Sequence, residues 1–135
     1  MYKVLSNKKI SENSYEMVVE APLSIKNALP GQFVIVMAHE DGERIPLTIY
    51  DYRKADGTLS LIYQVVGGST LELSTITDEV FSVAGPLGNP NEICAHPEQF
   101  KGKKIVYVAG GVGIAPIYPQ VRYLHGLGFN VDVNL

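Results

Sequence analysis

A glycine-rich turn that follows an apolar segment is the first place where this sequence could bind a ligand. In VYVAGGVGIAP, residues 106–116, an apolar strand runs into Gly110, Gly111 and Gly113 before a helix begins. Glycines let a backbone approach a ligand closely, and the first amides of a helix attract phosphate. Pro116 stands where the G-x-G-x-x-G dinucleotide fingerprint has its third glycine. From these residues alone, a phosphate site and a merely tight strand-to-helix turn are both open.

A second candidate site is the stretch GERIPLTIYDY, residues 42–52. Pro46 cannot donate a ladder hydrogen bond, so we expect an edge or a bulge there, with backbone groups free for a ligand. Thr48 offers a hydroxyl, and Arg44 offers a guanidinium suited to phosphate. The alternative is a solvated edge strand with an ordinary surface arginine.

The third candidate, IYQVVGGST, covers residues 62–70 and ends in a turn at Gly67 and Gly68. The ring of Tyr63 could stack on a planar ligand. Ser69 and Thr70 stand where a helix would start, which predicts a small anion site. An ordinary glycine turn with a helix N-cap is the alternative.

Short strands must position these three stretches, because residues 1–100 alternate between apolar segments and turns. Tyr15, Met17 and Val19 share one face of a strand, as do Leu59, Leu61 and Tyr63 of another. Turn signals about ten residues apart are typical of a small antiparallel barrel or sandwich. We predict strands over 2–10, 14–21, 30–38, 44–52, 57–66 and 78–88, and a helical connection over 69–77 that starts at Ser69 or Thr70, with Glu72 in its first turn.

The pattern changes after Pro86, Pro90 and Pro97. We predict a buried strand over 105–109, a helix over about 114–127 with Ile117, Val121 and Leu124 at helical spacing, and a strand over 129–135. Gly126 or Gly128 would end the helix. A strand–helix–strand unit implies parallel pairing, and two strands alone leave one face of it uncovered. We therefore expect a barrel domain over residues 1–100 and an incomplete α/β domain over residues 101–135.

Composition narrows the function classes. The chain has 135 residues, of which 46% are hydrophobic and 19% charged, enough for a normal core. A net charge of −3 argues against nucleic acid and anionic membranes as partners. No apolar run approaches the roughly 20 residues of a membrane helix.

The remaining reactive side chains predict little chemistry of their own. Cys94 is alone, which excludes an internal disulfide and a multi-cysteine metal site, and we expect an ordinary loop thiol. Together with the lack of a signal peptide, this favours the cytoplasm. His39, His96 and His125 show no catalytic spacing. No catalytic acid or base and no metal ligand is predicted.

The order of the motifs is more specific than any one of them. R-x-P-L-T-I, then a strand that ends in GGST, then VAGPLGNP and then VAGGVGIAP resemble the ferredoxin–NADP reductase superfamily over the whole chain. The similarity is greatest to flavin electron-transfer subunits, such as those of dihydroorotate dehydrogenase and of ferredoxin–NADP or sulfide reductases. The resemblance implies an N-terminal antiparallel FAD-binding β-barrel followed by the first βαβ unit of an NAD(P)-binding α/β domain.

The resemblance also implies site residues. The isoalloxazine ring of FAD would be lined by Pro46, Leu47 and Thr48. Thr48 would form a hydrogen bond to the edge of the ring that carries its reactive nitrogen. The strand residues of the third stretch would contact the flavin and its ribityl chain, and the turn after them would bind the diphosphate. The implied cofactor-binding set is Arg44, Pro46, Leu47, Thr48, Ile62, Tyr63, Gln64, Gly68, Ser69 and Thr70 for FAD, and Gly110, Gly111 and Gly113 for NAD(P)H.

The chain departs from the family pattern in two ways. Ile45 occupies the usual arginine position, with Arg44 one residue earlier, and Leu47 replaces an aromatic residue. Family members also continue through further strands, and the electron-transfer subunits carry a cysteine-ligated [2Fe–2S] cluster near their C-terminus. Since Cys94 is alone, we expect a truncated chain, with the cluster in the full-length parent only.

These observations lead to an expected function and to its rivals. The parent would be an NAD(P)H-dependent flavin oxidoreductase subunit that passes electrons through FAD and an iron–sulfur centre to ferredoxin or a larger catalytic subunit. We expect these 135 residues to be poorly active alone. The main alternative is a module that binds FAD or nucleotide without turnover. A third, less favoured hypothesis is a barrel that serves only as a protein-interaction scaffold.

Overall fold

Seven antiparallel strands build the first part of the chain. The computed structural model describes residues 1–135, apart from the side chain of Val112. The strands form one sheet that curls into a nearly closed barrel, which confirms the barrel implied by the family resemblance; the turn spacing alone left a barrel and a sandwich open. They are β1 (Tyr2–Lys9), β2 (Ser14–Glu20), β3 (Phe33–Met37), β4 (Ile45–Arg53), β5 (Thr58–Gln64), β6 (Glu79–Val80) and β7 (Ser82–Leu87), in the order β6-β1-β2-β5-β4-β3-β7.

Alternating apolar residues form the barrel core. Met17 and Val19 of β2 and Leu59, Leu61 and Tyr63 of β5 are at most 4% exposed. The antiparallel register pairs Met17 with Leu61 and Val19 with Leu59. The faces predicted from the sequence therefore meet in one buried layer.

Strands β4 and β5 separate at one end. Residues 45–48 of β4 pair with β3, whereas β4 pairs with β5 only from Ile49 onward, with a register shift before Asp51. Pro46 lies in the segment that is paired on one side only, which suits a residue without a backbone N–H. The predicted edge or bulge is confirmed here. Because β5 continues to Gln64 in its pairing with β2, the two neighbouring strands diverge.

A short helix follows the divergent end of β5, but it begins earlier than predicted. Its N-cap is Gly67, not Ser69 or Thr70, so Glu72 lies in its second turn and not in its first. The Thr70 hydroxyl oxygen accepts hydrogen bonds from the backbone N–H groups of Val66 (2.9 Å) and Gly67 (3.2 Å), which tightens the turn before the helix. The chain's helices are α1 (Pro22–Ile25), α2 (Gly68–Ser74), α3 (Glu92–Ala95) and α4 (Ile114–Gly126).

The second part of the chain is a parallel strand–helix–strand unit, as predicted. Strand β8 (Ile105–Val108) pairs in parallel with β9 (Val131–Asn134), and α4 connects them. A 3₁₀ turn over Gly111–Gly113 leads into α4. After α4, Gly128 adopts a φ of +88°, a conformation that favours glycine at the end of a helix.

The buried side of α4 differs slightly from the predicted one. Ala115, Pro119 and Leu124 are buried, whereas Ile117 and Val121 are half-buried. Helix α4 packs against β4 of the barrel as well as against β9, so its apolar side faces two partners. Because α4 packs against two partners, a helical pattern with a single apolar face does not predict which of its residues are buried.

Strand β8 is buried on one face only, which corrects the prediction of a buried strand over 105–109. Val106 and Val108 are 50% and 75% exposed. Ile105 packs with Leu124 of α4 and with Cys94. A two-stranded sheet covered by one helix has an open second face, as the sequence pattern leads us to expect.

Cys94 is not a loop thiol, contrary to the prediction. It lies in α3 and is 1% exposed. The Asn91 side-chain oxygen caps this helix by accepting the N–H groups of Ile93 (3.0 Å) and Cys94 (3.2 Å). Burial raises the pKa of the Cys94 thiol from 9.0 to about 11.

We expect Cys94 to make the folded state lose stability between about pH 9 and pH 11. Above pH 9 the thiol ionises in the unfolded chain but stays neutral in the folded one until its raised pKa of about 11 is reached. Rising pH therefore favours unfolding across this window. Urea unfolding at a series of pH values measures the effect. Cys94→Ser, which does not titrate there, should give a flatter profile, and identical profiles for both proteins would contradict the prediction.

Candidate functional site

The divergence of β4 and β5 opens a groove of about 370 Å³ on the barrel. One wall is residues 45–48 of β4, and the other is residues 62–64 of β5. The start of α4 also reaches this groove, so the two parts of the chain meet there. We call it the main groove; it is lined by Ile45, Pro46, Leu47, Thr48, Ile62, Tyr63, Gln64, Val66, Thr70, Ala115 and Pro116.

A smaller side groove of about 230 Å³ adjoins the main groove. The two grooves share Pro46 and Thr70 among their lining residues. The Ser69 hydroxyl donates a hydrogen bond to the Glu43 carboxylate at this point. The side groove is lined by Glu43, Arg44, Ile45, Pro46, Val66, Gly67, Gly68, Ser69 and Thr70.

The glycines of the side groove are not required by the packing of the chain. Neither Gly67 nor Gly68 has a positive φ, and a Cβ at either position would meet no atom within 4 Å. Gly85, by contrast, has a φ of +152°, and a Cβ there would lie 2.9 Å from a Val34 side-chain carbon. The missing side chains at 67 and 68 leave room in front of the first turn of α2, where backbone N–H groups point away from the helix.

Tyr63 does not offer its ring for stacking on a ligand, which corrects the sequence-based expectation. The residue is 4% exposed, and its ring stacks on that of Tyr15 with centroids 5.8 Å apart. Its hydroxyl donates a hydrogen bond of 2.9 Å to the side-chain oxygen of Asn7. Burial, the larger effect, raises the pKa of Tyr63 to about 12, although that hydrogen bond lowers it. Tyr63 therefore shapes the groove from inside the barrel.

The glycine turn of the second part lies outside both grooves. Gly110 and Gly111 are exposed and Gly113 is half-buried. Only Gly111 has a positive φ, +58°, and a Cβ at any of the three would meet nothing within 4 Å. Pro116, a few residues later, does line the main groove. The glycine turn thus directly precedes α4, and the first residues of α4 border the main groove.

Two contacts that the sequence did not reveal hold α4 against the barrel. Tyr118 of α4 stacks on Tyr50 of β4, with ring centroids 4.8 Å apart and an angle of 24° between the rings. One turn further along, Arg122 forms an ion pair with Asp51. Both barrel residues lie two and three positions after the segment 45–48 that lines the main groove, so the same strand forms the groove and anchors the helix.

The other titratable groups show no catalytic arrangement. His39 lies 3.1 Å from a carboxylate oxygen of Glu72, and His96 lies 3.8 Å from one of Glu98, both at the surface. Within the described part of the chain, no three His, Cys, Asp or Glu side chains are grouped to hold a metal ion. In that same part, no helix combines the length and apolarity needed to cross a bilayer.

Comparisons with known proteins support the family resemblance that the order of the sequence motifs suggests. The chain is 46% identical over 138 residues to an "Uncharacterized protein in adh 3'region" of Clostridium beijerinckii, covering 100% of this chain and 47% of the relative. It is 40% identical over 135 residues to the "Dihydroorotate dehydrogenase B (NAD(+)), electron transfer subunit homolog" of Thermotoga maritima, covering 98% and 46%. No protein-family model matches the chain.

A solved structure shares the fold over nearly the whole chain. It is the NADH-dependent reduced ferredoxin-NADP oxidoreductase described for flavin-based electron bifurcation, with a TM-score of 0.86 and 36% identity, covering 98% of this chain and 47% of that one. These matches confirm the resemblance to the ferredoxin–NADP reductase superfamily and its electron-transfer subunits. The chain spans about half the length of the relatives it matches.

Tyr118→Ala should loosen α4 from the barrel and leave the barrel itself folded. The change removes the stack with Tyr50, and an aromatic pair contributes about 0.5–1.5 kcal/mol beyond its buried area. Hydrogen exchange should become faster for the amides of α4 but not for those of β2 and β5.

Leu127→Ala is the control, because Leu127 lies just after α4 and is 52% exposed. Equal acceleration of exchange in both parts of the chain, or no acceleration at all, would count against the proposed anchoring role.

Proposed function

We propose that the chain is the cofactor-binding part of a flavin-dependent electron-transfer subunit, which holds FAD along the two grooves and NAD(P)H near the glycine turn. The observation that carries this proposal is the convergence of separate segments on one groove. Residues 45–48, residues 62–64, Thr70 and the start of α4 are distant in sequence and line the same cavity. The electron-transfer names of the relatives and of the structural neighbour support it.

The residues present suit the shape of FAD. The lining of the main groove includes the apolar residues Ile45, Pro46 and Ile62, which suit a planar aromatic ring, and the polar residues Thr48 and Gln64. The adjoining side groove has open glycine positions and the exposed cation Arg44. A ring site that leads into a phosphate site suits a long dinucleotide better than a compact ligand.

Each groove would hold a different part of the cofactor. Pro46, Leu47 and Thr48 would line the isoalloxazine, with Thr48 bonding its nitrogen edge. Residues 62–64 would contact the ring and the ribityl chain. The diphosphate would bind at Gly68, Ser69 and Thr70, with Arg44 adding charge attraction.

The side groove also contains an opposing charge. Ser69 donates its hydroxyl hydrogen bond to Glu43, whose carboxylate would repel a diphosphate. Binding there therefore requires Ser69 to exchange the carboxylate for a phosphate oxygen. Ionic screening weakens such repulsion between exposed charges.

The residues of the chain would orient and shield the reaction. The flavin, when bound, supplies the hydride and single-electron chemistry. The chain needs no side-chain acid or base for this step. Pro116 at the start of α4 lines the main groove and would shield that side of a bound flavin from water. The preceding turn at Gly110, Gly111 and Gly113 would bring the nicotinamide nucleotide alongside.

For the whole protein, we propose electron flow from NAD(P)H through FAD and a [2Fe–2S] centre to ferredoxin or a larger catalytic subunit in the cytoplasm. Relatives named as electron transfer subunits of a dihydroorotate dehydrogenase support a partner subunit. The structural neighbour's name includes reduced ferredoxin, which supports a ferredoxin partner. The relatives are about twice as long as this chain, so these partners concern the longer protein.

FAD binding tests the proposal directly. Titration of the chain with FAD should change the flavin fluorescence and saturate at one FAD per chain. Bleaching of the bound flavin on addition of NADH or NADPH would support turnover, whereas binding without bleaching would favour the module that only binds. A chain that leaves the FAD spectrum unchanged would contradict the proposal.

Gly68→Ala should weaken FAD binding without lowering stability. A Cβ at residue 68 meets nothing in the folded chain but would intrude where the diphosphate would bind. Replacement of glycine by alanine in a helix contributes up to about 1 kcal/mol of stability.

Gly126→Ala is the matched control, because Gly126 also lies at a helix end with no atom within 4 Å of its Cβ position, but outside both grooves. FAD affinity that is equal in the two variants would contradict the assignment of the diphosphate to residue 68.

A further inference from the structure

Asn7 of β1 joins two elements of the cofactor site although it lines neither groove. Its side-chain oxygen accepts a hydrogen bond of 2.9 Å from the Tyr63 hydroxyl. Its side-chain N–H₂ group donates to the backbone carbonyl oxygens of Leu73 (2.9 Å) and Ile76 (3.0 Å). One half-buried amide thus holds three partners that are far from it in sequence.

The three partners belong to the two elements that must act together on a dinucleotide. Tyr63 lies in the segment of β5 that lines the main groove. Leu73 lies in α2 and Ile76 lies just after it, while the opposite end of this helix carries the side-groove residues Gly68 and Ser69. Asn7 therefore links the strand proposed to hold the ring with the helix proposed to hold the diphosphate.

Only an asparagine-like side chain satisfies all three partners at this position. The side chain at residue 7 must accept one hydrogen bond from a hydroxyl and donate two hydrogen bonds to carbonyl groups. A primary amide provides this combination of acceptor and donors. An aspartate keeps the acceptor but loses both donors, and it would place a carboxylate oxygen next to two carbonyl oxygens. Asparagine is also disfavoured in strands, so β propensity does not account for its presence.

We infer that Asn7 is a positioning residue of the cofactor site, which sets the placement of α2 relative to β5 and thereby favours a flavin that carries a diphosphate over one that does not. The inference rests on the proposed function. A ligand that binds only at β5 has no need of α2, whereas FAD spans both elements. Loosening the link between Asn7 and its partners should therefore weaken the binding of FAD far more than the binding of riboflavin. Riboflavin has the same ring and ribityl chain but no phosphate.

The test compares FAD and riboflavin binding to the full chain and to Asn7→Asp. The affinity for FAD should fall about tenfold or more, the scale set by the loss of hydrogen bonds to half-buried carbonyl groups. The affinity for riboflavin should change by less than about threefold, since its contacts lie on β4 and β5. Hydrogen exchange of the α2 amides should become faster in the variant. Asn27→Asp, the same chemical change at an exposed position, is the matched control.

Each outcome decides the inference. Equal losses for both flavins would make Asn7 a purely structural residue, and unchanged affinities would remove it from the site. If Asn7→Asp does not fold, Tyr63→Phe decides instead, because it removes only the hydroxyl from the same link; its FAD-to-riboflavin affinity ratio should fall, and an unchanged ratio overturns the inference. A wild-type chain that binds neither flavin refutes the proposed function itself, which is a distinguishable result.

Discussion

The separation of β4 from β5 is the constraint on which the rest of the molecule depends. Residues 45–48 of β4 pair only with β3, because the ladder to β5 begins at Ile49. Pro46 has no backbone N–H to donate to strand β5. The strands can therefore diverge here without leaving an unpaired backbone donor at this position. The opening would weaken an ordinary barrel. Here it forms the main groove, and we propose that the backbone groups that no longer pair across the strands bind the cofactor there.

The second part of the chain is anchored to the same strand. Tyr50 and Asp51, which follow the divergent segment, hold Tyr118 and Arg122 of α4. The exposed ion pair contributes at most about 1 kcal/mol, so the aromatic stack and the apolar side of α4 carry most of the attachment. As a result, the start of α4 borders the main groove, and the glycine turn directly precedes that helix. One strand therefore both lines the groove proposed to bind the flavin and anchors the helix that follows the turn proposed to bind the nucleotide.

Much of this architecture could be predicted from the sequence because its signals are local. Alternation in β2 and β5, the effect of Pro46, and the parallel strand–helix–strand unit all come from periodicity or from the chemistry of one residue. The start of α2 could not be placed, because Gly67 serves as N-cap only when the Thr70 hydroxyl folds back onto the preceding amides. The sequence predicts a loop at Cys94 because α3 is a single turn and has no periodic pattern.

The contacts that assemble the site were beyond sequence reasoning. Asp51 and Arg122 are 71 residues apart, and Asn7 and Tyr63 are 56 apart, so no local pattern relates them. The sequence alone allows Tyr63 to stack on a ligand, but the register places its ring inside the barrel against Tyr15. The assignment of individual cofactor contacts stays a prediction.

Titration of the isotopically labelled chain with FAD, followed by amide chemical shifts, shows which residues the cofactor contacts. If FAD lies along the two grooves, the amide shifts of residues 45, 47–48, 62–64, 67–70 and 115 should change together, since Pro46 and Pro116 carry no amide proton. Changes confined to other surfaces, such as residues 101–104 and 127–130, would show that FAD binds elsewhere.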